Sequence, residues 1–311
     1  MTKGLGALDQ IPDENDKDGW DDLRQTVKSE QREIIEFQES QQADVAFTFD
    51  IPLKPDTPDY AKKEFVQLTK QNARIALQES QRKATDLYPV VQSWDFESAR
   101  KCTLFYENYG FDGVGVGGLV PYSRNLKKRI EILLGVKSAT ERPVHALGAT
   151  AIHHLYAMAA IGVDSLDSQT YADYAHYRHY ILPQTGQRKC VGENVTTEKK
   201  HRFRYMPCSC PYCQKADEAK RRGDVEYASQ YFGQSGSEAA AKLAKHNLIT
   251  MLNEIQLINS ALEGEWFNKL VKKRREENRS IDRVIKYIEE KSEKYPSIDN
   301  ELNFDPSKIS G

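Results

Sequence analysis

Short apolar runs alternate with amphipathic helical segments along much of the chain, and this alternation is the feature that most restricts its fold. The apolar runs lie at 43–52, 86–93, 111–121, 142–148 and 162–168. Segments with a helical spacing of apolar residues lie between them, at 59–83, 96–109, 123–136 and 150–161. Strands that alternate with helices pair in parallel, because each helix returns the chain to the starting end of the sheet. The sequence therefore predicts an α/β fold.

The residues at which the runs end favour one of two parallel architectures. The runs end at Asp50, Gln92, Gly117-Gly118, His145 and Asp167. In a (β/α)8 TIM-type barrel the carboxyl ends of the strands form the active-site face. A doubly wound open sheet also fits the alternation, but polar or glycine residues at five successive strand ends favour the barrel. Five strands are recognisable instead of eight, with room for a further strand between 175 and 205. Either weak strands escape recognition or the barrel is incomplete in this chain.

Changes in composition divide the chain into four segments. Residues 1–22 are polar and are expected to form a tail, whereas 23–205 form the barrel portion that carries the active site. Residues 206–275 contain a cysteine cluster and a long packing helix, and they are expected to form a helical subdomain. Residues 276–311 are expected to form a charged C-terminal tail.

Composition excludes several classes of protein. The net charge of −2 gives no overall attraction to nucleic acid, so any such binding requires a local basic face such as Lys269–Arg279. No apolar run approaches the ~18 residues of a membrane span, and the acidic, polar N-terminus does not resemble a signal peptide. Five cysteines, three of them in one cluster, do not indicate a secreted disulfide framework. We therefore expect a cytoplasmic protein with no membrane partner.

Three of the five cysteines, Cys208, Cys210 and Cys213, form a Cys-x-Cys-x-x-Cys cluster within MPCSCPYC. Tetrahedral zinc needs a fourth ligand besides these thiolates, usually Cys or His. His246, in the helical run AAAKLAKHNLITMLNEI, is the one histidine after the cluster. Four protein ligands leave no open position, so such a zinc ion would be structural rather than catalytic. The alternatives are a redox Cys-x-x-Cys pair and plain surface cysteines.

Two aspartates, Asp50 and Asp167, follow apolar strands directly. A carboxylate at a barrel strand end can act as a nucleophile toward a sugar carbon, as a general acid or base, or as a hydrogen-bond acceptor for a substrate. The alternative is an N-cap for the next helix, a role that Asp and Ser favour. For the neighbouring Asp164 and Ser168, capping is at least as good an interpretation as chemistry.

The glycine-rich run GVGVGG, which ends at Gly117 and Gly118, does not have the G-x-G-x-x-G spacing of a dinucleotide site. Its glycines also fall within the predicted strand rather than at the turn that opens a helix. We interpret the run as a place where the backbone approaches a flat ligand closely.

Together these motifs resemble the tRNA-guanine transglycosylase family, and its archaeosine-type branch most closely. The stretches that carry the resemblance run in family order from about residue 32 to 270: REIIEFQESQQADVAFTFDIP, YPVVQS, DGVGVGGLVP, RPVHALGAT, GVDSLDSQTYADYA, MPCSCPYC and KHNLITMLNEIQLINSALEGEW. The resemblance implies a pentosyltransferase that exchanges guanine in a polynucleotide for a 7-deazaguanine base without breaking the backbone. The incoming base would belong to the preQ0, preQ1 or queuine class.

The resemblance also implies roles for individual residues. Asp167 matches the nucleophile, which would attack the ribose C1′ and form a covalent glycosyl-enzyme. Asp50 matches the carboxylate that reads the donor edge of the base, and Gln92 with the backbone of Gly117 and Gly118 matches the groups that bind its carbonyl side. The residues that match the structural zinc ligands are Cys208, Cys210, Cys213 and His246.

One family motif has no counterpart in the sequence. The family carries an Asp-Ser-Gly-Gly motif, whose aspartate serves as general acid/base, near the end of an early strand, and no such motif exists among the 311 residues. Two early barrel strands of the family are missing with it, so the resemblance implies a barrel that lacks its first strands. The interpretations left open are a fragment, one part of a split enzyme, and a divergent member with a rearranged N-terminus. The expected assembly is a homodimer or an assembly with a partner subunit. The expected polynucleotide is tRNA, with base exchange on DNA or a non-catalytic or split subunit as the alternatives.

Overall fold

A computed structural model describes residues 11–80, 85–122, 125–148, 151–183, 185–191, 208–221, 232 and 236–294. The chain divides into two compact units. Among the described residues, unit 1 takes in those up to 148 together with 161–167 and 290–294. Unit 2 takes in 151–160 and those from 168 to 289. Each unit holds one of the two candidate sites.

Helices make up most of the described chain. The helices with described bounds are α1 (Lys17–Ser40), α2 (Asp59–Glu79), α3 (Phe96–Glu107), α4 (Leu126–Lys137), α5 (Ile152–Ile161), α6 (Thr170–His176), α7 (Pro211–Arg221), α8 (Ser237–Glu263), α9 (Phe267–Glu277) and α10 (Arg279–Lys294). None of the described helices is both long enough and apolar enough to cross a membrane.

Short strands between the helices form the sheets. The strands are β1 (Val45–Phe47), β2 (Asp86–Tyr88), β3 (Val90–Val91), β4 (Val114–Val116), β5 (Val144–Ala146), β6 (Ser165–Leu166), β7 (His179–Ile181) and β8 (Arg188–Cys190). In unit 1, β1 pairs with β2, and β3, β4, β5 and β6 pair in that order, all in parallel. Only Pro89 separates β2 from β3 along the chain, so these two segments connect the two groups of paired strands. The strands of unit 1 therefore follow one another in chain order. The predicted α/β fold with parallel sheets is confirmed.

The local sequence explains where the sheet and its helices form. The buried sheet contains β-branched side chains that favour strands, among them Val91, Val116 and Val144. Helix α3 starts at a capping box, in which the carboxylate of Asp95 accepts from the Ser98 N–H and the Ser98 hydroxyl accepts from the Asp95 N–H. A polar cap thus ends the β3 segment and begins the helix that covers it.

The described structure extends the helical regions beyond the predicted boundaries. Helix α1 begins at Lys17, with Trp20 buried, so the last residues of the segment 1–22 are helical. Helix α10 lies within the segment 276–311, and its buried side chains are Ile281, Val284, Ile285 and Ile288. Their spacing is the helical spacing that a buried face requires. In unit 2, β7 and β8 form an antiparallel pair within 175–205, the region in which the sequence allowed one further strand.

Candidate active site and metal centre

The carboxyl ends of the parallel strands in unit 1 bring the polar residues predicted from the sequence to one edge of the sheet. Asp50 follows β1, Gln92 follows β3, Gly117 follows β4 and Asp167 follows β6. The four strands run in the same direction, so their carboxyl ends share an edge. This edge is where parallel α/β proteins place ligands.

Asp50 and Gln92 form a preassembled hydrogen-bonded pair. Gln92 is fully buried, its Nε2 donates to Oδ2 of Asp50, and its Oε1 accepts from the Leu53 N–H at 3.2 Å. These two bonds fix which end of the amide faces the carboxylate. Burial raises the pKa of Asp50 to about 6, although the hydrogen bond from Gln92 opposes that rise. The pair therefore presents a desolvated carboxylate and an oriented amide at the sheet edge.

Gly117 and Gly118 bring bare backbone against this pair. A Cβ atom added at Gly117 would overlap Nε2 of Gln92 and would come within 2.9 Å of Oδ2 of Asp50. Gly118 has a φ of +68°, a left-handed conformation that glycine adopts without strain, and a Cβ there would lie 2.8 Å from Oε1 of Gln92. The Gly117 N–H is used in the sheet, since it donates to the Val91 carbonyl. A side chain at either position would therefore displace the buried Gln92 amide.

The carboxylate of Asp167 is hydrogen-bonded through one oxygen, while the side chain remains largely exposed to solvent. Its Oδ1 accepts from the Gly148 N–H at 2.8 Å and lies 3.4 Å from Nε2 of His145. Nδ1 of His145 lies 2.8 Å from the hydroxyl of Ser165, its partner across the β5–β6 pair. The Asp167 side chain is 58% exposed. This arrangement orients one carboxylate oxygen and leaves the group accessible to a substrate.

The two capping candidates beside Asp167 make local structural bonds. Asp164 accepts from the Val144 N–H at 2.8 Å, and Ser168 accepts from the Thr170 N–H at 3.1 Å. Both satisfy backbone donors at the ends of secondary structure elements. The predicted role as helix N-cap is wrong for both, because the residue before α6 is Gln169 and its side chain makes no capping bond. Asp164 is exposed like Asp167, but its carboxylate is engaged by the Val144 N–H of the neighbouring strand.

The candidate metal centre lies in unit 2. One ligand atom from each of Cys208, Cys210, Cys213 and His246 can be chosen so that all four lie within 4.8 Å of one another. The three sulfur atoms lie 3.7, 3.4 and 3.3 Å from Nδ1 of His246, in chain order. Three thiols and one imidazole nitrogen around a common centre match the donor set of a closed tetrahedral site. These residues are positioned to hold a metal ion.

Groups around the cluster fix the histidine for metal binding. Nε2 of His246 lies 2.9 Å from the Ile181 carbonyl and donates to it, which leaves the Nδ1 lone pair facing the sulfur atoms. The next residue, Asn247, accepts from the Ile181 N–H at 2.9 Å and donates to the His179 carbonyl at 3.0 Å. The adjacent residues His246 and Asn247 thus bind both sides of the β7 backbone at Ile181.

Tyr180 completes the surroundings of the cluster. Its ring stacks on the His246 imidazole with a centroid distance of 3.8 Å, and its hydroxyl lies 3.0 Å from Sγ of Cys213. Burial and the neighbouring Cys213 sulfur raise the pKa of Tyr180 well above its ordinary value, so its hydroxyl remains a donor. A phenol donor beside a metal-binding thiolate stabilises the anionic sulfur.

Several contributors to these sites were not predicted from the sequence. The Gly148 N–H and the Ser165 hydroxyl belong to turn and strand positions whose partners become visible only when β5 and β6 are in register. Conversely, part of the basic stretch Lys269–Arg279 is engaged within the chain. Arg274 pairs with buried Glu254 at 2.8 Å, and Arg275 pairs with Glu289 at 2.7 Å.

Comparison with known proteins identifies relatives that align with most of this chain. The protein from Pyrococcus abyssi named tRNA-guanine(15) transglycosylase is 30% identical over 241 residues, covering 75% of this chain and 37% of its own length. The protein of the same name from Methanocaldococcus jannaschii is 31% identical over 277 residues, covering 85% of this chain and 40% of its own length. That from Archaeoglobus fulgidus is 30% identical over 261 residues, 80% of this chain and 48% of its own.

The chain therefore spans less than half the length of each of these relatives. The matched part nevertheless takes in both candidate sites, because the model of the family described as queuine tRNA-ribosyltransferase matches residues 19–280. That match, which covers most of the 311 residues, together with relatives at 30% identity or more, shows that this chain belongs to the queuine tRNA-ribosyltransferase family.

Proposed function

We propose that this chain catalyses the exchange of a guanine in tRNA for a 7-deazaguanine base. The observation that carries the proposal is the exposed, oriented carboxylate of Asp167 at the same sheet edge as the Asp50–Gln92 pair. The names of the relatives, tRNA-guanine(15) transglycosylase, support the reaction and favour tRNA over DNA as the polynucleotide.

In the proposed first step, Asp167 attacks C1′ of the target ribose. A bond forms between a carboxylate oxygen and C1′ while the bond from C1′ to N9 of guanine breaks, and its electron pair leaves with the base. The deazaguanine nitrogen then attacks C1′ from the vacated face and displaces the Asp167 carboxylate, while its N–H proton passes to the group that protonated the departing guanine. Two displacements retain the configuration at C1′, as in other covalent glycosyl transfers. Gly148 and His145 hold one oxygen of the carboxylate throughout.

The base itself is read by groups at the ends of β1, β3 and β4. A guanine-like edge presents a ring N–H and an exocyclic amino group, and the Asp50 carboxylate can accept from both. Gln92 and the glycine backbone lie against the carbonyl side, where the Gly118 N–H is the proposed donor. The target nucleotide must leave its stack to reach this edge. The absence of side chains at Gly117 and Gly118 lets the Gln92 amide lie directly against the backbone beside Asp50.

Two finer structural features belong to the proposal. The sequential parallel strands of unit 1 are proposed to form an arc of a (β/α)8 barrel, since side-by-side order along the chain is the order of a barrel. The metal of unit 2 is proposed to be zinc, because a Cys3His donor set suits zinc and leaves no open position. Zinc bound there supplies a structural cross-link, and the reaction takes place without its participation.

A second candidate follows from the absent Asp-Ser-Gly-Gly motif. Guanine must take up a proton as it leaves, and the family motif that supplies a general acid is absent from the 311 residues. The chain would then be the nucleophile-bearing part of an assembly, active only when another polypeptide provides that carboxylate.

Radiolabelled guanine incorporation tests both candidates. The chain is incubated alone with unmodified tRNA or with a DNA duplex. Each polynucleotide is tested both without and with a 7-deazaguanine base. Exchange into tRNA by the chain alone supports the first candidate. Exchange into DNA alone contradicts tRNA as the substrate. Exchange that appears only when a polypeptide with the Asp-Ser-Gly-Gly motif is added supports the second candidate.

A further inference from the structure

A groove between helices α2 and α3 of unit 1 is not used by the proposed chemistry. It encloses about 270 Å³, and its polar lining includes Lys63, Lys70, Trp94, Ser98 and Lys101. Trp94 is partly exposed, and it lies only two residues after Gln92. The groove therefore combines three ammonium groups with an indole close in sequence to the base-binding pair.

The topology places this groove beside the active edge. Helix α2 follows β1, and helix α3 follows β3, so both helices start at the carboxyl edge of the parallel strands. Lys63 and Lys101 lie within the first two turns of their helices, whereas Lys70 lies just past the middle of the 21-residue helix α2. Apart from Lys70, the lining residues thus come from the helix halves nearer to the edge that carries Asp50 and Gln92, or from the turn before α3.

The three lysines are available for an external anion. Within the part of the chain that the structure describes, none of them has a carboxylate oxygen within 4.0 Å, whereas neighbouring Lys62 pairs with Asp59 at 2.8 Å. The ammonium group of Lys70 lies 4.9 Å from the centre of the Phe105 ring, which holds that side chain in place.

Two carboxylates also line the groove, and one of them already accepts a hydrogen bond from the backbone. Asp95 accepts from the Ser98 N–H at 2.7 Å as the N-cap of α3, where the helix dipole partly offsets its charge. Glu97 is exposed. Three ammonium groups against these two carboxylates leave a local excess of positive charge in a chain whose net charge is −2.

We propose that this groove binds backbone phosphates of the polynucleotide next to the extruded nucleotide, with Trp94 stacking on a flanking base. The inference rests on the proposed function and names a second contact surface for the same substrate. Unpaired ammonium groups bind phosphates through counterion release, and an indole stacks on any base without reading its sequence. The groove would hold the strand while the target base occupies the site at Asp50 and Gln92.

Salt-dependent binding tests the groove separately from the chemistry. Fluorescence anisotropy is measured with a labelled RNA hairpin carrying one guanine in its loop, and with the DNA hairpin of the same sequence. Lys63→Gln, Lys70→Gln and Lys101→Gln are each compared with Lys28→Gln, which removes one charge from an exposed position on α1. Each groove variant should weaken binding and reduce the slope of log K against log salt by roughly 0.7 to 0.9. Thermal unfolding checks that each variant is folded.

The outcomes separate the two proposals. Slopes that change no more in the groove variants than in Lys28→Gln, on both hairpins, would overturn the groove assignment even if the wild type exchanges bases. Reduced slopes support it even if no exchange is observed, because the binding assay needs no catalysis. Trp94→Ala should weaken binding without changing the salt slope, and Trp94→Phe should restore much of that binding. A Trp94→Ala variant that binds like wild type contradicts the stacking role.

Discussion

The backbone N–H of Gly148 donates a 2.8 Å hydrogen bond to Oδ1 of Asp167, and Nε2 of His145 lies 3.4 Å from the same oxygen. Both contacts fall on Oδ1, so Oδ2 is the oxygen best placed to attack a sugar carbon. Gly148 can make this bond because it adopts a φ of +73° at the turn after β5. A turn glycine and a strand histidine thus distinguish the two oxygens of the proposed nucleophile.

Replacing Asp167 with Asn should abolish exchange while preserving the fold. The amide oxygen can still accept from Gly148, but it is too weak a nucleophile to form the glycosyl-enzyme. We expect kcat to fall by at least about a thousandfold, and no adduct should be trapped on denaturing gels. Asp56→Asn, at an exposed position, is the matched control. A trapped adduct in Asp167→Asn would show that another residue is the nucleophile.

His145→Phe should lower kcat and leave the KM for the base nearly unchanged. Phenylalanine keeps the packing on Phe47, whose ring centre lies 5.0 Å from that of His145, but it loses both polar contacts. The expected decrease is roughly tenfold, the usual loss for one hydrogen bond to a charged group. Steady-state kinetics measure the two parameters. A large rise in KM with unchanged kcat would place His145 in base binding instead.

Gly117→Ala should weaken base binding because the added methyl group overlaps the Gln92 amide and approaches Asp50. Gly110→Ala is the matched control, since a Cβ there has no heavy atom within 4 Å. We expect a rise in the KM for the base of at least about tenfold for Gly117→Ala, and little change for Gly110→Ala. Equal effects of the two substitutions would indicate a general loss of stability.

Base binding should depend on the protonation of Asp50. Its pKa is raised to about 6 by burial, so the ionised carboxylate, which is proposed to accept two hydrogen bonds from the base, exists mainly above that pH. Affinity for the base should fall about tenfold per pH unit below pH 6. Isothermal titration between pH 5 and pH 8 measures the dependence, and Asp50→Asn should bind weakly without that dependence. An unchanged profile in Asp50→Asn would assign the titration to another group.

The same raised pKa affects folding in the opposite direction. A carboxyl group with a higher pKa in the folded state than in the unfolded chain takes up its proton first in the folded state. The folded state therefore gains stability from Asp50 as the pH falls from about 6 toward 4, and this gain is absent above pH 6. Asp50→Asn should thus stabilise the fold more at pH 7 than at pH 5, as measured by denaturant unfolding.

Removal of the metal should unfold the part of unit 2 around the cysteine cluster. Cys213→Ser takes away a fully buried ligand, whereas Cys190→Ser changes an exposed cysteine outside the cluster. Cys213→Ser should lose bound zinc in elemental analysis and should unfold at a lower temperature than Cys190→Ser, because binding to a structural site contributes directly to folding. A Cys213→Ser protein that unfolds like Cys190→Ser would contradict a structural metal.

Much of the fold could be predicted because it depends on local pattern. Helices α2, α3 and α5 lie within the predicted segments, and the Cys-x-Cys-x-x-Cys spacing with His246 anticipated the cluster. Helix α10 was predicted as a charged tail, because its charged residues outnumber the apolar positions that form its buried face. The contact between His145 and Asp167 depends on strand register, which a single sequence does not specify.

The environment of Gly117 limits which substitutions this sequence can accept during evolution. Every substitution of Gly117 adds a Cβ atom, and that atom overlaps the amide of Gln92. Relief would require a simultaneous change at Gln92 or Asp50, the two side chains proposed to recognise the base. We therefore expect Gly117, Gln92 and Asp50 to be conserved together among homologues. Homologues in which all three residues have changed should no longer bind the base.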